Sequence, residues 1–177
     1  MPTFDASTAE CLIFTYKEGL LSAVAHDLKL RVGRFRVEID GASAVSASFD
    51  ASSLRVVTAM RGSAESPATL SDKDRRDIEE NTAKDVLETK RHKEIRFAST
   101  AVERAGDGYR VQGRLTIKGR ERPISLQVQR EGDRLVGEMT LHQPDFGVKP
   151  FSAMLGALRI KPDVRVRVSV PATAMPT

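Results

Sequence analysis

The sequence predicts an all-β domain: an eight-stranded antiparallel barrel with one helix inserted after the third strand. Three observations carry the prediction. From Tyr109 to Val128, apolar Tyr109, Val111, Leu115 and Ile117 alternate with Arg110, Gln112, Arg114 and Thr116; after a turn, Ile124, Leu126 and Val128 alternate with Ser125 and Gln127. A strand sends successive side chains to opposite faces, so this is a hairpin with one dry and one wet face. Eight segments read this way, seven of them close together in sequence, which is the pattern of an antiparallel meander. Only one helix is foreseen, and its apolar stripe is too thin to form a second layer. A sheet with one dry face then covers it by curling on itself.

The first strand is Ala9 to Tyr16. Gly19 to Ala25 is a small apolar segment, long enough for no more than a helical turn. His26-Asp27 opens the second strand, where Leu28, Leu30 and Val32 hold even positions and, past Gly33-Arg34, Phe35, Val37 and Ile39 hold odd ones. One extra residue flips the faces, so a β-bulge is expected near Gly33. Asp40-Gly41 signals a turn. Val45, Ala47 and Phe49 form a third strand, which Leu54 and Val56 continue beyond a kink.

Gly62 to Leu70 reads as a polar loop. Ser71 is a helix N-cap with Asp74 three residues on, and the helix runs from Asp72 to Leu87. Its stripe of Ile78, Thr82 and Val86 suits a helix lying on a surface or over an opening. The basic run Lys90 to Lys93 leads into a fourth strand from Glu94 to near Arg104, and Gly106-Asp107-Gly108 turns the chain into the central hairpin. The turn of that hairpin is expected at Gly119 to Pro123, since proline suits the first residue of a strand. Past Gly132, Leu135, Gly137, Met139 and Leu141 alternate in a seventh strand, and Val164 to Val170 form an eighth. Between them, Gln143 to Leu158 is an apolar loop with no strand period.

With 177 residues, 40% hydrophobic and 29% charged, residues 1–177 form one globular domain rather than a disordered chain. No stretch approaches the roughly 18 apolar residues of a membrane-crossing helix, so no stable membrane insertion is expected. The N-terminus shows no basic and apolar leader, which points to the cytoplasm. The single cysteine, Cys11, excludes an internal disulfide and a cysteine-rich zinc site, and its strand context reads as an inert half-buried thiol. Ser22, Cys11 and His26 show no catalytic arrangement, because His26 and Asp27 point opposite ways in a strand. His26, His92 and His142 lack metal-ligand spacing. For the cations at Lys90, Arg91, Lys93, Lys118, Arg120 and Arg122 two readings compete, contact with a diphosphate head group or anionic lipid and plain solvated turns, and the second is preferred. With 5% aromatics, no Trp and no recognised module, no nucleic-acid partner is expected.

Several segments together resemble a known family. They are Ala25-His26-Asp27-Leu28, Phe49-Asp50-Ala51-Ser52-Ser53-Leu54, His92 to Thr100, Gly113 to Gly119 with Arg122-Pro123-Ile124, and Asp145-Phe146-Gly147. Over nearly the whole chain the pattern is similar to the YceI-like family of bacterial polyisoprenoid-binding proteins. The resemblance implies a lipocalin-like eight-stranded barrel, a long isoprenoid-type lipid such as a quinone or polyprenyl chain held inside, no cofactor and no catalysis. This chain differs from the pattern in three places. No export signal is visible, Val86-Leu87 stand where aromatic residues often end the helical segment, and Val148 to Lys161 is longer and more apolar.

Apolar alternation reports burial only, so it fits a packed interior as well as a cavity. The resemblance favours the cavity. The inward set is then Phe35, Val37, Phe97, Tyr109, Val111, Gly113, Leu115, Ile117, Leu126, Val128 and Met139, with Phe146, Phe151, Met154 and Leu155 as an apolar lip at the mouth. A glycine between large neighbours needs a reason, a tight bend in the wall or the close approach of a ligand or another backbone, and Gly113 is expected to leave room for the ligand. The alternative is an interaction module: a solidly packed barrel that uses the 148–158 loop for a partner or for self-association as a homodimer.

Overall fold

The computed structural model describes residues 1–19 and 25–175. The short apolar segment expected between Gly19 and Ala25, with Ser22, falls on residues 20–24 and lies outside the described residues. The chain opens with β1 (Thr3–Phe4), β2 (Glu10–Thr15) and β3 (Lys17–Glu18). Next come β4 (Asp27–Val32), β5 (Phe35–Asp40), β6 (Ala44–Asp50), β7 (Leu54–Arg61) and β8 (Ala64–Ser66). Helix α1 (Asp72–Asn81) and a π-helical turn (Thr82–Val86) precede β9 (Glu94–Ala105), β10 (Gly108–Ile117), β11 (Arg120–Glu131) and β12 (Arg134–His142). The chain finishes with β13 (Ser152–Ala153), β14 (Leu158–Ile160) and β15 (Asp163–Pro171).

Twelve strands form one antiparallel sheet in the order β1-β5-β6-β9-β10-β11-β12-β15-β2-β4-β7-β8, in place of the eight expected. The difference has a local cause. The expected second strand breaks at Gly33-Arg34 into β4 and β5, and the third breaks at a 3-10 turn, Ala51–Ser53, into β6 and β7. Short β1 and β8 supply the other two. The bulge expected at Gly33 is thus a full bend; register shifts occur instead between Lys29 and Leu30 and between Gln112 and Gly113. Because β5 continues β4 and β7 continues β6, the two ends of the sheet belong to one bent hairpin, and the sheet curls round to meet itself there. The curl is irregular, since at the bend the ladder gives way to other hydrogen bonds. The Gly33 N–H donates to the Ser53 carbonyl at 3.0 Å, the Asp50 N–H to the Arg34 carbonyl at 2.9 Å, and the Arg34 N–H to Ser53 Oγ at 2.9 Å.

Three further expectations need correction. The central hairpin turns at Lys118-Gly119, both with positive φ (50° and 74°), the signature of a two-residue type I′ turn. Arg120 to Pro123 therefore belong to β11, with Pro123 opposite Arg114. Residues 64–66 of the expected polar loop fold back as β8 on β7. The late loop contains β13 and β14, which pair with each other and with β3 in a second, three-stranded sheet.

The helix starts as expected. Ser71 Oγ accepts from the Asp74 N–H at 3.1 Å and Asp74 Oδ2 accepts from the Ser71 N–H at 2.8 Å, a capping box with aspartate in the acidic position. It runs to Asn81 and then widens: the Leu87 N–H reaches back five residues to the Thr82 carbonyl at 2.9 Å. Its side chains cover the open edge of β7. Glu79 Oε1 accepts from the Val56 N–H at 2.9 Å, and Arg75 donates to the Val57 carbonyl at 2.9 Å.

Gly113 sits in β10 with no empty space over it. A β-carbon there would lie 2.5 Å from the Ala98 carbonyl oxygen and would strike the Phe97 ring. The room expected for a ligand is already filled, and the glycine serves the close approach of β9 at the bulge. Gly113→Ala should lower stability by about 1–3 kcal/mol, read as a lower denaturation midpoint in urea, because one neighbour is backbone and cannot swing away.

Cys11 is 2% exposed, more fully enclosed than the half-burial expected. Burial, with a smaller contribution from the Glu10 carboxylate, pushes its thiol from the usual 9.0 up to about 12. The native protein at neutral pH should resist a thiol reagent that labels the urea-unfolded chain completely. The folded thiol keeps its proton longer than the unfolded one. Its contribution to stability is therefore whole below about pH 9 and lost as the pH rises towards about 12.

Candidate functional site

The sheet encloses two connected apolar chambers. The larger, about 520 Å³, lies between the β4–β7 half of the bent hairpin, the helix and the late segment. Leu28 and Leu30 of β4, Leu54 of β7, Ile78, Thr82 and Val86 of the helical segment, and Phe151, Leu158 and Ile160 of the late segment line it. The smaller, about 200 Å³, lies within the β5–β6 half and is walled by Val37, Ile39, Phe97, Val111, Leu115, Leu126, Met139 and Val168 among others. Ile13, Val32, Phe49, Ile117, Leu141 and Val166 touch both and form a waist between them. The even residues of β4 and the odd residues of β5 both face inward, each toward its own chamber. The bend between the strands is what allows this.

Polar groups at the larger chamber are mostly engaged with the protein itself. Asp77 pairs with Lys73 at 2.6 Å and Gln143 Nε2 donates to the Lys161 carbonyl at 3.2 Å. Hydrogen bonds from the Ser71 hydroxyl and N–H hold the Asp74 carboxyl below the usual carboxylate range. At Asp50 the Ser52 hydroxyl and the Arg34 guanidinium do the same. The dry interior thus offers a ligand apolar contact, and the charged groups near it are already committed.

Of the residues expected at the site, Val37, Phe97, Val111, Leu115, Leu126 and Met139 wall the smaller chamber and Phe151 the larger. Phe35, Tyr109, Gly113, Phe146 and Met154 line neither. Phe35 faces Phe49 across the β5–β6 ladder and stacks on it with ring centroids 5.8 Å apart, so it packs in the core beside the chamber wall. Tyr109 is buried in the core. Phe146 is 3% exposed and packed in the same core, a plug rather than a lip. The next residue, Gly147, has φ 66°, and its open side is covered by the Arg120 side chain. Met154 points to solvent. The helix side of the larger chamber is not among the expected site residues; the thin stripe of Ile78, Thr82 and Val86 fits a helix on a surface as well as one over an opening, and the structure shows the second.

Among the described residues, no helix is long and apolar enough to cross a membrane. Comparison with known proteins gives a consistent picture of the fold. BcnA of Burkholderia cenocepacia is 16% identical, with 93% of this chain and 96% of that chain covered at a TM-score of 0.65. A polyisoprenoid binding domain from Saccharophagus degradans, implicated in plant cell wall breakdown, is 12% identical over 95% of this chain and 94% of its own, with a TM-score of 0.62. The Campylobacter jejuni YCEI protein is 15% identical over 84% and 85%, with a TM-score of 0.59. No curated protein matches the chain. The model of the YceI-like domain matches residues 5–172, and the chain therefore belongs to the YceI-like family.

Proposed function

We propose that this protein binds and carries, without chemical change, a long apolar isoprenoid-type lipid, a polyprenyl chain or the tail of a quinone. One observation carries the reading: a two-chamber apolar interior of about 520 and 200 Å³ with a waist between the parts. Protein interiors normally leave few voids larger than a water molecule. Apolar side chains lining a space of this size forfeit dispersion contacts unless a ligand fills it. The space is elongated and lobed, which suits a narrow flexible chain better than a rigid disc. The Saccharophagus degradans domain, described as polyisoprenoid binding, supports the same ligand class through the shared fold. The residues proposed to hold the chain are Val37, Phe97, Val111, Leu115, Leu126 and Met139 in the inner chamber. In the outer chamber they are Phe151 together with Ile78 and Val86, which the helix contributes.

Native mass spectrometry of the purified protein, followed by organic extraction, tests the reading. A bound species that extracts as an isoprenoid-type lipid is expected. Protein that leaves purification empty, and takes up no added ubiquinone or polyprenol, would overturn it. Ile78→Ser combined with Val86→Ser should weaken lipid retention by at least about tenfold, since each removes apolar contact from the outer chamber. Both positions are only partly buried, so the circular dichroism spectrum should be unchanged.

A further inference from the structure

We propose that the tip of the β13–β14 hairpin docks this protein on an anionic lipid bilayer and so presents the outer chamber to the membrane surface. The inference rests on the carrier reading for its purpose, but its evidence is separate. Met154 is 67% exposed and Leu155 109% exposed; among the described residues, Met1 is the one other large hydrophobic so displayed. Both tip residues have left-handed backbones, Met154 at φ 51° and Leu155 at φ 56°, followed by Gly156 at φ 85°. That conformation is costly for a residue with a β-carbon. Neither side chain recovers the cost by packing. An unrelieved backbone combined with unburied apolar side chains indicates contact with something outside the chain.

The tip is firmly mounted and close to the candidate site. Ser152 pairs with Arg159 and Ala153 with Leu158, and β14 is held in turn by β3. Phe151, Leu158 and Ile160 of the same hairpin line the outer chamber. Exposed Arg159, which pairs with Glu18 at 3.7 Å, lies on the hairpin itself, and exposed Lys149 and Lys161 lie at its base, with the acid Asp145 preceding them in the chain. A bilayer fits these facts better than a second copy of the chain. Two side chains on a narrow turn fall well short of the roughly 1,000 Å² that a stable protein interface buries. A few inserted apolar residues with neighbouring cations are enough for reversible attachment to anionic lipid. The bilayer is also where an isoprenoid-type lipid resides.

Sedimentation with vesicles tests this, using equal parts phosphatidylcholine and phosphatidylglycerol against phosphatidylcholine alone. The parent protein should bind the anionic vesicles, bind the neutral ones more weakly, and dissociate as salt is raised. Met154→Ser with Leu155→Ser should lower the affinity at least about tenfold. Leu155→Gly is the second variant: glycine favours this left-handed position, so thermal stability should hold or rise while vesicle binding falls. Lys149→Gln with Lys161→Gln should weaken binding to anionic vesicles only. No binding by the parent, or undiminished binding by the double serine variant, would overturn the proposal. So would a parent dimer, seen in analytical ultracentrifugation, that the serine variant abolishes. Lipid extracted from the same preparations reads the carrier function separately: vesicle binding without any bound lipid would leave the docking tip standing and remove the carrier reading.

Discussion

The fold depends on a few hydrogen bonds where two backbones bend together. At Gly33 and Ser53 the bent hairpin stops being a ladder; Gly33 and Arg34 lie at the surface, but Ser53 is buried and its polar groups must be satisfied within the protein. Ser53 is 3% exposed; its hydroxyl accepts from the Arg34 N–H and donates to the Asp50 carbonyl at 2.7 Å. Each such bond contributes only about 1 kcal/mol net, but a buried group left without its partner costs about 1–3 kcal/mol. The bend is therefore held by the penalty for undoing it. A β-carbon on Gly33 would lie 3.1 Å from the Ser53 carbonyl oxygen, which is why the approach is so close. The two ends of the sheet meet in this hairpin, and the bend divides the interior into its two chambers.

The helix completes the enclosure by polar means at its rim and apolar means beneath. Glu79 and Arg75 hydrogen-bond a stretch of the β7 edge that no neighbouring strand pairs, which removes a template for edge-to-edge association. At the far end Lys118, whose side chain is 14% exposed, reaches Glu88 at 2.5 Å and the Val86 carbonyl at 3.4 Å. That contact holds the Glu88 carboxyl below its usual range. The cover of the outer chamber is thus fastened to β7 at one end and to the central hairpin turn at the other, while Ile78 and Val86 face the cavity between the two fastenings.

Most of the wall was legible in the sequence because period-two alternation is a direct record of a half-dry strand. Val111, Leu115, Leu126 and Met139 face inward for that reason. The parity change across Gly33 was also legible, but as a bulge: the pattern records which faces are dry and not whether the chain bends sharply enough to change partners. What failed depended on partners distant in sequence. Gly113 looks like open space until Phe97 is laid over it. Phe146 looks like a lip until the core closes round it. β13 and β14 are too short to show a period and exist because Lys17-Glu18 lies alongside them. The outer chamber's helical side had a signal in the thin stripe, although a stripe alone does not distinguish a lid from a helix lying on the surface.

An interior with this much unfilled apolar space also affects how the protein responds to compression. Unfolding eliminates internal voids, so a folded state that contains them occupies more volume than the chain it unfolds to and loses ground under hydrostatic pressure. A lipid chain threaded through both chambers would remove that excess volume without altering a single backbone hydrogen bond. Empty and loaded forms would then share one fold and differ in volume. The bend at Gly33 is where that difference would be felt first, because the waist between the chambers lies beside it.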